Sequence, residues 1–301
     1  MQKTLQIVLV MFLWAICFPL ITIGLPYAPH LTFAALRAFI AGATLVVIAL
    51  LLRRALPKGL KTWFMLTMVG LGATTLGFFG MFHASEFVSP GIATVISNTQ
   101  PILASLLAFF ILGEYLNTRG KLGLLLGFLG VILIALPGLL SNSGSTYLAG
   151  ISYILLSASG ITISNVLIRY IATEIDALTA MGWQLILGSI LLALIAIVTE
   201  DPATVQWSPE FLFSLLGLSL PGTALAYWLW CHVLRITELD RANVFSFLVP
   251  IFGLLLGMAF YGETYGFLVL EGIGLILLGI ILVNWSQKDW SWVVRLLAGG
   301  K

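Results

Sequence analysis

Apolar residues fill ten stretches of about 20 residues, which are separated by short segments that contain charged residues, glycine or proline. An α-helix of about 20 apolar residues crosses the hydrocarbon core of a bilayer. The pattern therefore predicts an all-α polytopic membrane protein with ten transmembrane helices. The approximate spans are 4–24, 31–52, 62–84, 89–112, 121–138, 148–169, 178–198, 211–234, 241–261 and 266–285.

The first apolar stretch follows Lys3 and continues to about Gly24. The apolar region of a cleaved signal peptide covers only about 7–15 residues and ends at a site of small residues. This length favours a first spanning helix over a cleaved leader.

The basic residues give the direction of the spans. With the N-terminus in the cytoplasm, thirteen of the fourteen Lys and Arg residues fall in cytoplasmic segments, and Arg37 in the second span is the exception. The outer segments 139–147 and 199–210 contain no Lys or Arg. Basic residues concentrate on the cytoplasmic side of membrane proteins, so both termini are predicted to be cytoplasmic.

The two halves of the chain resemble each other at a shift of 149 residues. Because each half has five spans, an odd number, the halves are predicted to cross the membrane in opposite directions as two inverted five-helix repeats. The predicted divisions are 1–140, 147–287 and a cytoplasmic tail at 288–301. The aligned residues are His83 with His232, Pro101 with Pro250, Gly113-Glu114 with Gly262-Glu263, Gly123 with Gly272, Gly130 with Gly279, Thr74 with Thr223, and Phe78-Phe79 with Tyr227-Trp228.

Composition narrows the possible partners. The chain is 60% hydrophobic and 9% charged, with a mean hydropathy of +1.10, so most of its surface is expected to face lipid. A net charge of +2 without a basic run gives no indication of a nucleic-acid partner. Cys17 and Cys231 are expected to be buried packing residues. The three histidines lack metal-ligand spacing, so neither a metal nor a cofactor is predicted.

Charge is scarce at membrane depth. The middle of every predicted span lacks Asp, Glu and Lys, which favours a neutral, zwitterionic or apolar cargo. Arg37 is interpreted as an interfacial or snorkelling residue, with Glu86 or Glu263 as the expected partner.

Aromatic and uncharged polar residues at depth are the candidates for lining a cavity. For Asn98, Gln100 and Asn165, an inter-helix hydrogen bond is an equally supported role. For His83, a helix-end or interfacial position is the favoured interpretation, with proton transfer as the alternative. Pro19, Pro101, Pro221 and Pro250 are expected to kink their spans. The candidates are Trp14, Phe18, Phe78, Phe79, His83, Asn98, Gln100, Asn165, Trp183, Tyr227 and Trp228.

These features together resemble the drug/metabolite transporter superfamily and its EamA-type branch. The resemblance covers the whole chain and implies an inner-membrane carrier, often an exporter of amino acids, with aromatic amino-acid exporters as one fitting group. Small multidrug exporters of the superfamily carry a glutamate in the first helix, which this chain lacks. The residues that carry the resemblance are Trp14-Ala15 with Pro19, Arg37, Pro101…Gly113-Glu114 and Pro250…Gly262-Glu263.

The sequence thus predicts a secondary transporter that moves small metabolites by alternating access around a midplane cavity, with amino-acid export as the first expectation. Export of drugs, amines or other metabolites is the alternative. A membrane-embedded enzyme is disfavoured, because it would need paired carboxylates or a metal cluster at depth. The chain also lacks a GxxxxGK[ST] motif, which disfavours an ATP-driven pump. The expected partners are a small-molecule substrate and the lipid bilayer, and a monomer is expected although an oligomer is left open.

Overall fold

The computed structural model describes residues 2–97, 99–100, 103, 118–140, 144–171, 174–236, 248–262 and 264–284. Within these ranges the regular structure is helical, without strands. The α-helices are α1 (Gln2–Ala15), α2 (Cys17–Gly24), α3 (His30–Leu51), α4 (Leu60–Val69), α5 (Gly77–Ala84), α6 (Pro90–Ser97), α7 (Thr118–Leu140), α8 (Gly144–Ile171), α9 (Ala177–Thr199), α10 (Pro209–Ser219), α11 (Ala226–Ile236), α12 (Leu248–Tyr261) and α13 (Phe267–Asn284).

The helices confirm an all-α polytopic membrane protein. In the described part of the chain, six helical segments are long and apolar enough to cross a membrane. The other four predicted spans contain α6, α7, α12 and α13, respectively. The six segments are Leu5–Tyr27, His30–Leu51, Leu60–Ala84, Thr146–Ile168, Ala177–Thr199 and Pro209–Val233.

Two of these spans change to π-helical geometry in the middle. The segment Gly70–Leu76 joins α4 to α5, and Leu220–Leu225 joins α10 to α11. The second segment begins and ends near the positions expected from the 149-residue shift. Glycine in both segments, and Pro221 in the second, weaken the regular helical ladder, and π-turns of this kind occur often at functional sites.

The two halves are inverted in space. α7 and α13 are equivalent helices, and they cross through their aligned glycines: a Cβ built on Gly130 would lie 2.6 Å from the Gly272 carbonyl oxygen. A Cβ on Gly279 would overlap Gly123. Gly130 on α7 thus contacts Gly272 on α13, and the earlier residue Gly123 contacts the later residue Gly279. Equivalent helices therefore run antiparallel, as inverted repeats require.

Connecting segments meet at alternate ends of the bundle. At one end, the Gln206 amide donates to the Tyr27 carbonyl oxygen at 2.8 Å, and His30 lies beside both Glu86 and Glu200. At the other end, Arg54 lies 3.8 Å from Asp176. The segments after spans 1, 3 and 7 thus share one end, and those after spans 2 and 6 share the opposite end, in agreement with the predicted order of crossings.

The first span is broken at Ile16, where α1 ends and α2 begins. Pro19 has no N–H to donate to the preceding turn, which accounts for the break. Cys17 and Phe18, which follow the break, are both buried. The helix is thus interrupted three residues before Pro19, where a kink is predicted, and Pro221 lies inside the second π-segment.

Candidate functional site

A cavity of about 110 Å³ lies between the two halves of the bundle. Helices of the first half contribute most of one wall, and α8, α11 and α12 contribute the other. A volume of this size has room for several water molecules or a small organic group. The lining residues are Trp14, Cys17, Phe18, Arg37, Phe78, Met81, Ser97, Gln100, Ile154, Ser157, Ala158, Ile161, Tyr227 and Val249.

Five of the residues singled out from the sequence line this cavity: Trp14, Phe18, Phe78, Gln100 and Tyr227. They come from four different helices and from the residues after α6, and the fold brings them together between the repeats. Most of the resulting wall is aromatic or aliphatic, and its polar groups are few. Such walls are typical of sites for small amphipathic ligands.

Other candidates lie elsewhere in the bundle. Trp183 packs edge-on against Trp63 with ring centroids 5.0 Å apart, Asn165 is half-buried on α8, and Trp228 is 38% exposed on α11. None of the three lines the cavity. An exposed tryptophan on a spanning helix suits contact with lipid. Asn98 lies outside the described residues.

Phe79 and His83 belong to a separate cluster toward the end of α5. Their rings lie 4.3 Å apart, and the Tyr153 ring lies 5.0 Å from His83. Regular helical spacing would place Thr75 on the same face as Phe79 and His83. Thr75 instead lies in the π-segment and donates to the Gly188 carbonyl oxygen at 3.0 Å.

Arg37 is the lining residue that the sequence interpretation placed wrongly. The expected snorkelling side chain is only 2% exposed, and the expected partner Glu86 instead lies 3.0 Å from His30. Glu263, the other expected partner, lies outside the described residues. The arginine was recognisable as the one basic residue that departs from the positive-inside pattern, and ionisable residues at membrane depth are usually functional.

The guanidinium group of Arg37 has unusual partners. Nε donates to the Thr223 hydroxyl at 2.9 Å, Nη2 lies 3.3 Å from the Cys17 sulfur, and Nη1 lies 3.7 Å from the Met81 sulfur. The Phe78 ring covers one face of the group, with its centroid 4.3 Å from Cζ. A buried guanidinium costs several kcal/mol of desolvation, which sulfur atoms and aromatic faces offset only in part.

The π-segments hold equivalent hydrogen bonds that join the two halves. Thr223 accepts from Arg37, and the equivalent Thr74 donates to Gln184 at 2.9 Å. Arg37 and Gln184 lie on the equivalent helices α3 and α9. Each π-segment therefore joins its own half to the second span of the other half, and only the Arg37 bond lies at the cavity.

A second polar cluster lies at the end of the bundle where α3 begins. Nε2 of His30 lies 3.1 Å from Nε2 of His83, and Nδ1 of His30 lies 3.0 Å from Glu86. Nδ1 of His83 faces the Phe79 carbonyl oxygen at 3.1 Å, so it carries a proton.

Glu200 connects this cluster to the second half. Its carboxylate accepts from the Leu31 and Thr32 amides at 2.9 and 2.8 Å, and from the Thr32 hydroxyl at 2.9 Å. The carboxylate thus caps the N-terminus of α3 across the repeat boundary, where the helix dipole favours negative charge. His83 therefore lies at a helix-end contact between the halves rather than at the cavity.

A second depression of about 250 Å³ lies between α3 and α9. Its walls are mostly aliphatic and include the exposed side chains of Phe39, Ile190 and Ile197. Lipid chains suit such a surface better than a polar ligand does. The cavity between the repeats is therefore the better candidate for a ligand site.

The polar groups that line the cavity are few. The described lining contains one guanidinium, one carboxamide, two serine hydroxyls and a phenol, without a carboxylate or a histidine. What the lining provides is a set of hydrogen-bond donors in an apolar enclosure.

Comparison with known proteins gives the family. The EamA-like transporter family matches the chain twice, over residues 3–136 and 148–285. The uncharacterized transporter YvbV of Bacillus subtilis is 29% identical over 289 residues, covering 95% of this chain and 93% of that protein. Protein PecM of Dickeya dadantii is 27% identical over 274 residues, covering 90% of this chain and 88% of that protein.

A plant relative and a solved structure extend the comparison. A WAT1-related chloroplastic protein of Arabidopsis thaliana is 28% identical over 284 residues, covering 92% of this chain and 68% of that protein. A crystal structure matches with a TM-score of 0.69 and 20% identity over 98% of both chains, which supports the fold. The two family matches cover most of the chain and divide it into the two halves described above, so the chain belongs to the EamA-like transporter family and is a multi-pass membrane transporter.

Proposed function

We propose that this transporter exports small metabolites, with amino acids as the first candidates, by alternating access around the cavity between its repeats. The observation that carries the proposal is the position of the cavity, which both inverted halves line. In inverted-repeat carriers the substrate site lies where the repeats meet, and rocking of one half on the other exposes it to each side in turn.

The lining supports an amphipathic cargo. Trp14, Phe18, Phe78 and Tyr227 offer aromatic surface to an apolar or aromatic side chain, and the polar groups offer hydrogen bonds to the cargo's polar end. An amino acid with an apolar side chain has both parts. Export of amines or cationic drugs is less well supported, because the described lining has no acidic side chain to balance a positive charge.

The contacts between the halves supply elements that can rearrange. The Arg37–Thr223 and Gln184–Thr74 bonds and the Glu200 cap all join one half to the other. Rocking of the halves would exchange these bonds for others, as expected of a switch with two packed states. The proposal further places the protein as a monomer in the inner membrane with both termini in the cytoplasm.

Counterflow in proteoliposomes tests the proposed transport. Purified protein is reconstituted, vesicles are loaded with an unlabelled amino acid, and uptake of the labelled compound is followed with and without a pH gradient. We expect transient accumulation of at least one apolar amino acid above that in protein-free vesicles. If the protein moves amines but no amino acid, the alternative of amine export is supported instead. If it moves none of the tested metabolites, the proposal is refuted. Export is tested by comparing the efflux of preloaded cells with and without the protein.

Two adjacent aromatic residues test the location of the site. Tyr227→Ala should lower counterflow strongly, since Tyr227 lines the cavity, whereas Trp228→Ala should leave it near wild type, since Trp228 is 38% exposed. Membrane levels of both variants are measured in parallel. Equal losses, or a larger loss in the Trp228 variant, would place the transport path elsewhere.

A further inference from the structure

We infer that Arg37 binds the carboxylate of the transported molecule, so that the site selects small organic carboxylates with an apolar remainder and does not require an amino group. This inference rests on the proposed function, because it takes the cavity between the repeats as the substrate site. It adds a selectivity that amino-acid export alone does not imply.

The first support is the incomplete neutralisation of Arg37. A guanidinium has five N–H donors, and only the Thr223 hydroxyl offers Arg37 an oxygen acceptor among the described residues. Its other two partners are the sulfur atoms of Cys17 and Met81, which are weak acceptors. The ion pairs in the described part of the chain do not include Arg37. The cation therefore remains without a counter-ion there.

The second support is the position of the guanidinium. Arg37 is seven residues beyond His30, about 10 Å along α3 from the end of the bundle. Its side chain is 2% exposed and forms part of the cavity wall. Phe78 covers one face of the group. The in-plane N–H edge is the part that can receive a carboxylate, which forms short charge-assisted hydrogen bonds to arginine.

A second buried donor lines the same cavity independently of Arg37. The side-chain nitrogen of Gln100 is buried and has no hydrogen-bond partner within the described ranges. A buried donor without an acceptor is unfavourable, and a bound acceptor would remove that cost. Two donor groups in one apolar cavity fit a ligand whose polar end accepts hydrogen bonds.

The cavity offers much less to a cation. Its described lining lacks Asp and Glu, so an ammonium group would find only hydroxyl oxygens and aromatic faces. Arg37 would also repel an ammonium group in this low-dielectric site. The carboxylate is therefore the group that the site requires, and the rest of the ligand meets apolar side chains such as Ile154, Ile161 and Val249.

Three compounds of nearly equal size separate these groups. Phenylalanine carries both charges, 3-phenylpropionate lacks the amino group, and phenethylamine lacks the carboxylate. Each compound is tested as an inhibitor of the counterflow of a labelled cargo by wild-type protein in proteoliposomes. We expect both carboxylates to inhibit, and phenethylamine to inhibit about tenfold more weakly or less. Equal or stronger inhibition by phenethylamine would overturn the inference while leaving the proposed transport intact.

Substitution of Arg37 identifies the binding group. Arg37→Gln should raise the inhibition constants of both carboxylates about 10- to 100-fold, the loss expected for a charge-assisted hydrogen bond, and should not weaken phenethylamine. Arg37→Lys should retain part of the preference for carboxylates over phenethylamine, since lysine keeps the positive charge but lacks the paired N–H donors of the guanidinium group. Lys58→Gln, which removes an exposed positive charge, is the matched control.

The outcomes separate binding from structural support. Unchanged carboxylate inhibition in a folded Arg37→Gln variant would assign Arg37 a structural role and overturn the inference. If neither Arg37 variant folds, the wild-type comparison of the three compounds decides the inference by itself. If wild-type protein transports nothing from the wider panel, the proposed function fails and the inference fails with it.

Discussion

At the scale of single residues, the Thr223 hydroxyl makes two bonds at once. It donates to the Leu218 carbonyl oxygen at 2.7 Å and accepts from Nε of Arg37 at 2.9 Å. The first bond fixes the direction of the hydroxyl proton, which leaves a lone pair directed at the guanidinium. Leu218 lies five residues before Thr223, which is the spacing of π-helical turns.

The aligned threonines provide a matched pair of variants. Thr223→Val should leave Nε of Arg37 without its oxygen acceptor, lower stability by about 1–3 kcal/mol and weaken cargo affinity. Thr74→Val removes the equivalent bond to Gln184 away from the cavity, so it should lower stability to a similar degree and leave affinity unchanged. Thermal unfolding in detergent and the KM of counterflow measure the two effects. A shift of KM in both variants would show that Thr223 acts through global packing rather than through Arg37.

At the scale of helices, the crossing of α7 and α13 depends on glycine residues, which have no side chain to hold the two backbones apart. The two backbones come into contact at Gly130 with Gly272 and at Gly123 with Gly279. In the repeat alignment, Gly130 corresponds to Gly279 and Gly123 to Gly272. Close approach lets helices gain van der Waals contact in a membrane, where apolar burial gives little drive for association. The glycines therefore determine the angle and depth at which the two fifth spans meet.

Alanine at this crossing should be harmful, and alanine nearby should not. Gly130→Ala places a Cβ 2.6 Å from the Gly272 carbonyl oxygen, so the helices must separate, at a cost of about 1–3 kcal/mol. Gly274→Ala meets no atom within 4 Å and should be neutral or slightly stabilising, because alanine favours the helix. Thermal unfolding of both purified variants measures the difference. Equal stability would contradict the close crossing of α7 and α13.

At the scale of the whole molecule, the ends of the bundle follow the charge pattern. Glu86 and Glu200 lie at the end where α3 begins, and Arg54 lies at the opposite end. Basic residues favour the cytoplasmic side, so the end that carries His30, Glu86 and Glu200 should be the outer one. The helix-end contacts of the histidines would then face the outside.

Reporter fusions test this orientation. Alkaline phosphatase fused within 139–147 or 199–210 should be active, and green fluorescent protein fused at the C-terminus should fluoresce, because each reporter is active on only one side of the membrane. Phosphatase fused near Lys58 should be inactive. The reverse pattern would invert the topology while leaving the fold unchanged.

The sequence by itself determined the helices, their order and the relation between the halves. Span length and the positions of basic residues are properties of each segment against the bilayer, so they need no knowledge of neighbouring helices. The repeat needed only an alignment of the chain with itself. For these reasons the predicted all-α architecture agrees with the structure.

Only the tertiary structure decided which deep residues face the cavity. Phe78 and Tyr227 line it, whereas their chain neighbours Phe79 and Trp228 do not, in both repeats alike. Neighbouring residues on a helix point about 100° apart, and each pair directly follows a π-segment that shifts the helical phase. Which side of a helix faces its partners depends on crossings such as that of α7 and α13. Arg37 is the clearest case, because its charge was visible in the sequence and its burial against Thr223 and Phe78 arises only from the packing of the two halves.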